Sequence, residues 1–368
     1  MVDARLLAIP PATANFPRTM TRKRTSLVLA LAFLAANPAR AQVGGVTHVD
    51  TVAAPSLRNN LLGDPDRREV TVYLPPSYSK RQAKRYPVVY LLHGFAADHR
   101  AFMKGAYQNL NVRISMDSLI RSGAVGEMIV VTPSARNAFD GSFYANSVVT
   151  GNWEDFIVRD LVVHIDRKYR TVPNRRGRGI AGHSMGGFGA LRIGMRHPAT
   201  FSAIYALSPC CLGNAGGPEG LGVRSWKTAI GLTERSQFAK AGFIPNIIYA
   251  LSAMYSPNAG KLPFFVDLPY RIEGDSLRAV PDVAARWMTA PLSEVGHYTV
   301  NLKRINIAFD AGRADGFRDI PINVQKLDSA LSSLGVEHSA ELYDGTHGSR
   351  IRSRLETKVF PFFSGVLH

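Results

Sequence analysis

The chain has 368 residues, 46% of them hydrophobic and 20% charged, which is long enough to bury a large core and too apolar for a disordered polymer. Its formal charge is +16, but the basic residues fall in short scattered groups at 80–85, 175–178 and 350–354. No zinc-ligand spacing or nucleic-acid motif accompanies them, so they read as solvated surface charge and no nucleic-acid partner is expected. The two cysteines, Cys210 and Cys211, are neighbours in sequence. Adjacent Cα atoms lie closer than a disulfide ordinarily spans, which excludes a disulfide framework.

At the N-terminus, Arg22, Lys23 and Arg24 precede an apolar run from Leu27 to Ala36 and the small-residue site Ala39-Arg40-Ala41. That order is expected of an export signal cleaved near Ala41, with translation starting at Met20. Residues 1–41 carry six Lys or Arg against one Asp, so the remaining chain keeps a net charge of +11. Neither the leader nor any later segment has the roughly twenty apolar residues of a membrane span. The expectation is a secreted or periplasmic protein in which residues 42–368 form a single domain.

From residue 69 onward, apolar runs alternate with helical patterns. The runs are 69–75 (EVTVYLP), 86–92 (YPVVYLL), 128–133 (MIVVTP), 179–183 (GIAGH), 202–209 (SAIYALSP), 305–310 (INIAFD) and 339–344 (SAELYD). Continuously apolar strands separated by helices predict an α/β fold, a mainly parallel sheet covered on both faces. The clearest helix follows Asn152, its expected cap, with Glu154 and Asp155 in the first turn and Ile157, Leu161, Ile165 and Tyr169 as the buried stripe. A second helix begins after Ser184, with Phe188, Leu191 and Met195 inward and His197-Pro198 at its end. Between about 211 and 300 the pattern is helical or irregular and reads as an insertion; its aromatics Tyr255, Phe264, Phe265 and Tyr270 are expected to pack together or to line a pocket.

The chemistry centres on Gly182-His183-Ser184-Met185-Gly186. This G-x-S-x-G pattern, between a predicted strand and a predicted helix, is a nucleophile elbow in which glycines make room around a strained serine. A serine hydroxyl is a weak nucleophile until a histidine, held by a carboxylate, takes its proton. His347 stands after the last predicted strand, on the sheet edge where Ser184 stands, whereas His338 precedes that strand and His368 is terminal. Of the two nearby carboxylates, Asp310 ends a strand and is expected to cap the turn, while Asp315 lies far enough into the loop to reach His347. The backbone N–H groups of Met185 and Phe95 are the expected oxyanion donors, with Gly94 as the alternative to Phe95. His93 and His183 flank glycines at strand ends and Tyr144 and Trp153 lie near the first helix; all four are possible substrate contacts or structural residues.

Taken together, VYLPPSY, YPVVYLLHG, YANSVVTGNWEDF, IDRKYR, IAGHSMGGFGALRIGMRHP, FDAGRADGF and GTHG resemble the esterase D group of α/β-hydrolases. That group includes S-formylglutathione hydrolases, feruloyl and acetylxylan esterases, enterochelin esterases and mycolyltransferases of the antigen 85 type. The resemblance covers about residues 55–365. It implies an α/β-hydrolase fold, a triad of Ser184, Asp315 and His347, oxyanion donation from Phe95, and no metal or organic cofactor. Many relatives have an aromatic shortly after the histidine, where this chain has GSRIRSR. The expected activity is hydrolysis of a small-molecule or carbohydrate-linked carboxylic ester, of the feruloyl or acetyl kind, through an acyl-enzyme. The alternatives are acyl transfer of the mycolyltransferase type, a thioesterase like S-formylglutathione hydrolase, and a non-catalytic envelope-binding protein.

Overall fold

The seven apolar runs, joined by one further strand, form a single eight-stranded sheet in the computed structural model, which describes residues 44–213 and 217–368. The strands are β1 (Val46–Ala53), β2 (Arg67–Leu74), β3 (Val88–Leu92), β4 (Ile129–Pro133), β5 (Arg178–His183), β6 (Ala203–Leu207), β7 (Asn306–Gly312) and β8 (Ser339–Tyr343). Their spatial order is β1-β2-β4-β3-β5-β6-β7-β8. All the pairs from β4 to β8 are parallel, while β1 and β2 run antiparallel to their neighbours. Strand β1 escapes the sequence pattern because it is an edge strand: only Asp50 and Val52 are buried in it. The expected leader, with Met20 and the Ala41 cleavage site, lies outside the described residues. Among the described residues no helix is long and apolar enough to cross a membrane.

Helices cover both faces, which is why the central strands are apolar throughout. In β3, Val88, Tyr90 and Leu92 belong to one core cluster and Val89 and Leu91 to the other. The longer helices are α1 (Val112–Arg121), α2 (Trp153–Asp155, Phe156–Leu161 and Val162–Lys168 in one run), α3 (Met185–Arg196), α4 (Val223–Ile230), α5 (Phe243–Tyr255), α6 (Asp319–Ser333) and α7 (Ile351–Arg354, Leu355–Val359 and Phe360–Val366 in one run). The inner faces of α2, α3 and α6 fill the first cluster, and those of α1 and α7 fill the second.

Two details of α2 differ from the sequence reading. Its middle stretch, Phe156–Leu161, is a π-turn. Residues repeated every four positions drift around a 3.6-residue helix, and one wider turn brings Ile157, Leu161 and Ile165 back onto the core. Asn152 makes no capping bond; Asn146 supplies it, its Oδ1 accepting from the Asp155 N–H at 3.1 Å. The insertion holds α4 and α5, and also an antiparallel hairpin, Tyr270–Glu273 with Ser276–Ala279, that the sequence did not signal. Its predicted aromatics pack internally: Phe264 against Phe238 and Tyr249, Tyr255 against Trp287, Tyr270 against Trp226.

Candidate active site

Ser184 sits at the junction of β5 and α3 with φ 56° and ψ −116°, a region that costs a side chain of this kind about 1–3 kcal/mol. The turn closes only because its flanking glycines lack Cβ atoms. A Cβ on Gly182 would run into the Gly186 carbonyl, and one on Gly186 would run into the carbonyl of Leu92 at the end of β3. The strained residue is tied to the next strand, since the Ser184 N–H donates to the Leu207 carbonyl at 3.0 Å.

The parallel register of β7 and β8 brings two loops to this point. The Arg313 N–H donates to the Tyr343 carbonyl at 2.8 Å and the Ala314 N–H to the Gly345 carbonyl at 2.9 Å. Across these bonds His347 Nδ1 lies 2.8 Å from Asp315 Oδ2, and His347 Nε2 lies 2.9 Å from Ser184 Oγ. The carboxylate accepts, which puts the imidazole proton on Nδ1 and leaves Nε2 to accept from the serine hydroxyl. The Asp315 side chain is fully buried, and its second oxygen accepts the Phe317 N–H at 2.9 Å. The Phe317 ring stands edge-on to the imidazole, with centroids 4.9 Å apart.

Asp310 is elsewhere. It lies within β7 rather than at a turn, and its Oδ2 accepts from the Tyr205 hydroxyl at 2.8 Å and from Arg354 Nε and Nη2 at 2.8 and 2.6 Å. The expected capping role is therefore replaced by a buried ion pair with a residue of α7.

The side chains of the two residues expected to donate to the oxyanion pack together over Gly141, where a Cβ would collide with both the Phe95 ring and the Met185 sulfur. Met185 is the first residue of α3, so its N–H has no partner within the helix. On either side of Phe95 the N–H groups are engaged: that of Gly94 by the Tyr107 hydroxyl at 3.1 Å, that of Ala96 by the Asp140 carbonyl at 2.9 Å. The Phe95 N–H donates to no backbone acceptor among the described residues.

None of the four possible substrate contacts lines the cleft at Ser184. His93 is 1% exposed; its Nδ1 bonds the Gly94 carbonyl at 2.7 Å and its Nε2 accepts the Ala135 N–H at 2.8 Å. Burial pushes its pKa down to about 4. Tyr144, also buried, donates to the His93 carbonyl at 3.0 Å. Trp153 donates to the Thr150 carbonyl at 2.7 Å, with the Arg68 guanidinium over its ring. His183 is buried too, and burial pushes its pKa down to about 3. Its Nε2–H donates to the backbone carbonyl of His347 at 2.8 Å, so this neutral ring props the loop that carries the other histidine.

The cleft itself is small, with an accessible volume of about 40 Å³. Phe95, Phe143, Phe243 and Phe317 wall it, with Leu221, Ile247 and Ile320, while Ser184, the two cysteines, Gly220 and Asp319 complete the lining. The sequence reading missed Phe143, Phe243 and Phe317, although Phe317 stands two residues beyond Asp315 in the same loop. Both thiols are free. The Cys210 thiol beside it, together with burial, holds the Cys211 thiol well above its usual range.

The model of the esterase family, described as "Putative esterase", matches residues 65–350. Over 147 residues the chain is 34% identical to an esterase of Mycobacterium tuberculosis, covering 38% of this chain and 28% of that protein. Over 145 residues it is 31% identical to an endo-1,4-beta-xylanase/feruloyl esterase of Xylanibacter ruminicola, covering 37% of this chain and 19% of that protein. The chain thus spans less than a third of the length of these curated relatives. A solved ferulic acid esterase superposes with a TM-score of 0.61 at 23% identity, over 88% of this chain and 100% of that one. An S-formylglutathione hydrolase from Agrobacterium tumefaciens gives 0.55 at 17% identity, over 89% and 97%. These two likenesses are of fold, and the fold is that of the α/β-hydrolases. With the family model spanning most of its length, the chain belongs to this esterase family.

Proposed function

We propose that the protein is an exported serine esterase that works through an acyl-enzyme. The observation that carries this reading is the unbroken hydrogen-bonded chain Ser184–His347–Asp315 at the elbow. His347 Nε2 takes the hydroxyl proton as Ser184 Oγ attacks the ester carbonyl, and Asp315 holds the imidazolium that forms. The N–H groups of Phe95 and Met185 receive the oxyanion. The same imidazolium then protonates the leaving alkoxide. Water, deprotonated by His347, releases the acid and restores the serine.

The apolar, phenylalanine-walled lining of the cleft favours an aromatic acyl group over a formyl group. The xylanase/feruloyl esterase relative supports an alcohol that belongs to a carbohydrate. The basic, apolar and small-residue order of residues 22–41 supports export. Acyl transfer to a sugar uses the same groups and is separated by product analysis with and without a carbohydrate acceptor. Replacing Ser184 by Ala should lower hydrolysis of methyl ferulate by around 10⁶-fold; a variant within tenfold of the parent would overturn the proposal.

A further inference from the structure

The loop that carries the Phe95 N–H is fastened on both sides of it. The His93 carbonyl accepts from the Tyr144 hydroxyl at 3.0 Å, the Gly94 N–H donates to the Tyr107 hydroxyl at 3.1 Å, and the Ala96 N–H donates to the Asp140 carbonyl at 2.9 Å. Asp140 stands in the left-handed region, with φ 64°, so the place of its carbonyl depends on what grips its side chain. Two groups do. Arg136 Nη2 donates to Oδ1 at 2.7 Å, but this guanidinium is half exposed, where an ion pair adds little. Asn246 Nδ2 donates to Oδ2 at 2.9 Å, from a residue of α5 that is only 6% exposed. Helix α5 also meets the loop directly, the Phe243 ring standing edge-on to that of Phe95 with centroids 5.4 Å apart. Packing alone does not explain an asparagine on the buried face of α5, among Pro245, Ile247 and Ile248. Its Oδ1 is buried and accepts no hydrogen bond among the described residues, which lowers stability relative to an apolar side chain of similar shape. What the amide does supply is the bond to Asp140.

We propose that Asn246 and Asp140 are positioning residues for the oxyanion: the α5 amide fixes the Asp140 carboxylate, the Asp140 carbonyl fixes the Ala96 N–H, and the Phe95 N–H is thereby aimed at the oxygen that becomes negative when Ser184 attacks. This rests on the esterase reading above and deepens it, because it makes the insertion a support of the reaction as well as a wall of the cleft. Neither residue touches the substrate. A backbone donor stabilises the transition state only where it is held against the developing charge, so a small displacement slows turnover while leaving ground-state binding alone. The loss therefore falls on kcat, and KM is spared.

The test measures kcat and KM on 4-nitrophenyl butyrate, per active site titrated with a fluorophosphonate, together with the melting temperature and the affinity of an aryl trifluoromethyl ketone, which Ser184 converts to an oxyanion adduct. Asn246→Leu should lower kcat by about ten- to a hundredfold at unchanged KM, weaken the ketone by a similar factor and melt no lower than the parent. Asp140→Gly keeps the positive φ without strain but drops the carboxylate, and it should show the same loss of kcat. Asp140→Asn, whose amide oxygen still accepts from Asn246, should recover most of that loss. The double variant Asp140→Gly/Asn246→Leu should lose no more than either single one, because both break the same connection. A merely structural pair would lower the melting temperature and leave kcat per titrated site alone. That result, an Asp140→Asn variant as slow as Asp140→Gly, or additive losses in the double variant would overturn the proposal; the Asp140 variants decide it even if the leucine variant does not fold. A wild type that neither cleaves the ester nor takes the fluorophosphonate is a different result, and it would overturn the esterase reading on which the proposal rests.

Discussion

Two carboxylates five residues apart on β7 and its loop have opposite surroundings. Asp315 faces His347, and Asp310 faces Arg354 and Tyr205. Replacing Asp315 by Asn removes the charge that holds the imidazolium and should cost about 10⁴-fold in kcat, with little change in thermal midpoint. Asp310→Asn should do the reverse, keeping kcat within a few-fold while costing about 3 kcal/mol of stability, because Arg354 loses a buried partner. Steady-state kinetics and thermal melts of the two variants check both statements together. The preference for Asp315 was legible because loop position alone decides which carboxylate reaches the histidine. The partner of Asp310 was not, since it lies 44 residues further on and meets β7 only through the packing of α7. Likewise, glycine neighbours for His93 and His183, and a position near the first helix for Tyr144, announced that these residues stand close to the site, but not that their side chains point away from the cleft into backbone contacts.

At the scale of elements, the site depends on how closely α3 approaches the end of β3. Gly186 is the contact point, with the Leu92 carbonyl where a side chain would begin. Gly186→Ala should therefore push α3 outward, costing about 1–3 kcal/mol of stability and, through displacement of Ser184, about 10²-fold or more in kcat. A variant with normal melting and normal turnover would show that the elbow tolerates the displacement. The elbow was readable because its requirement is local: a strand, a serine between glycines, a helix. Strand β1 and the 270–279 hairpin were not, for they lie at edges where half-exposed residues blur the period-2 pattern. The π-turn of α2 was hidden for a related reason. Its four-residue spacing is compatible with a plain helix until the core fixes which face must stay inward.

On the scale of the whole molecule, two neutral histidines brace the backbone around Ser184 and His347, and they link stability to pH. Their pKa values fall from 6.5 to about 4 for His93 and about 3 for His183 because burial penalises the charged ring. Below pH 6.5 the unfolded chain binds protons that the folded chain refuses. Their contribution is thus complete above that pH and is lost as pH falls toward 4, on the order of 3 kcal/mol for each ring. Melting temperatures should decline steeply between pH 6.5 and 4, and a flat profile would mean that the rings are not buried as neutral bases. The most direct test of the account is the site and stoichiometry of covalent labelling by a fluorophosphonate, read by intact-protein and peptide mass spectrometry. One adduct per chain on Ser184, absent from Ser184→Ala and strongly slowed in His347→Ala, is the predicted result; labelling at another residue, or undiminished labelling of Ser184→Ala, would contradict it.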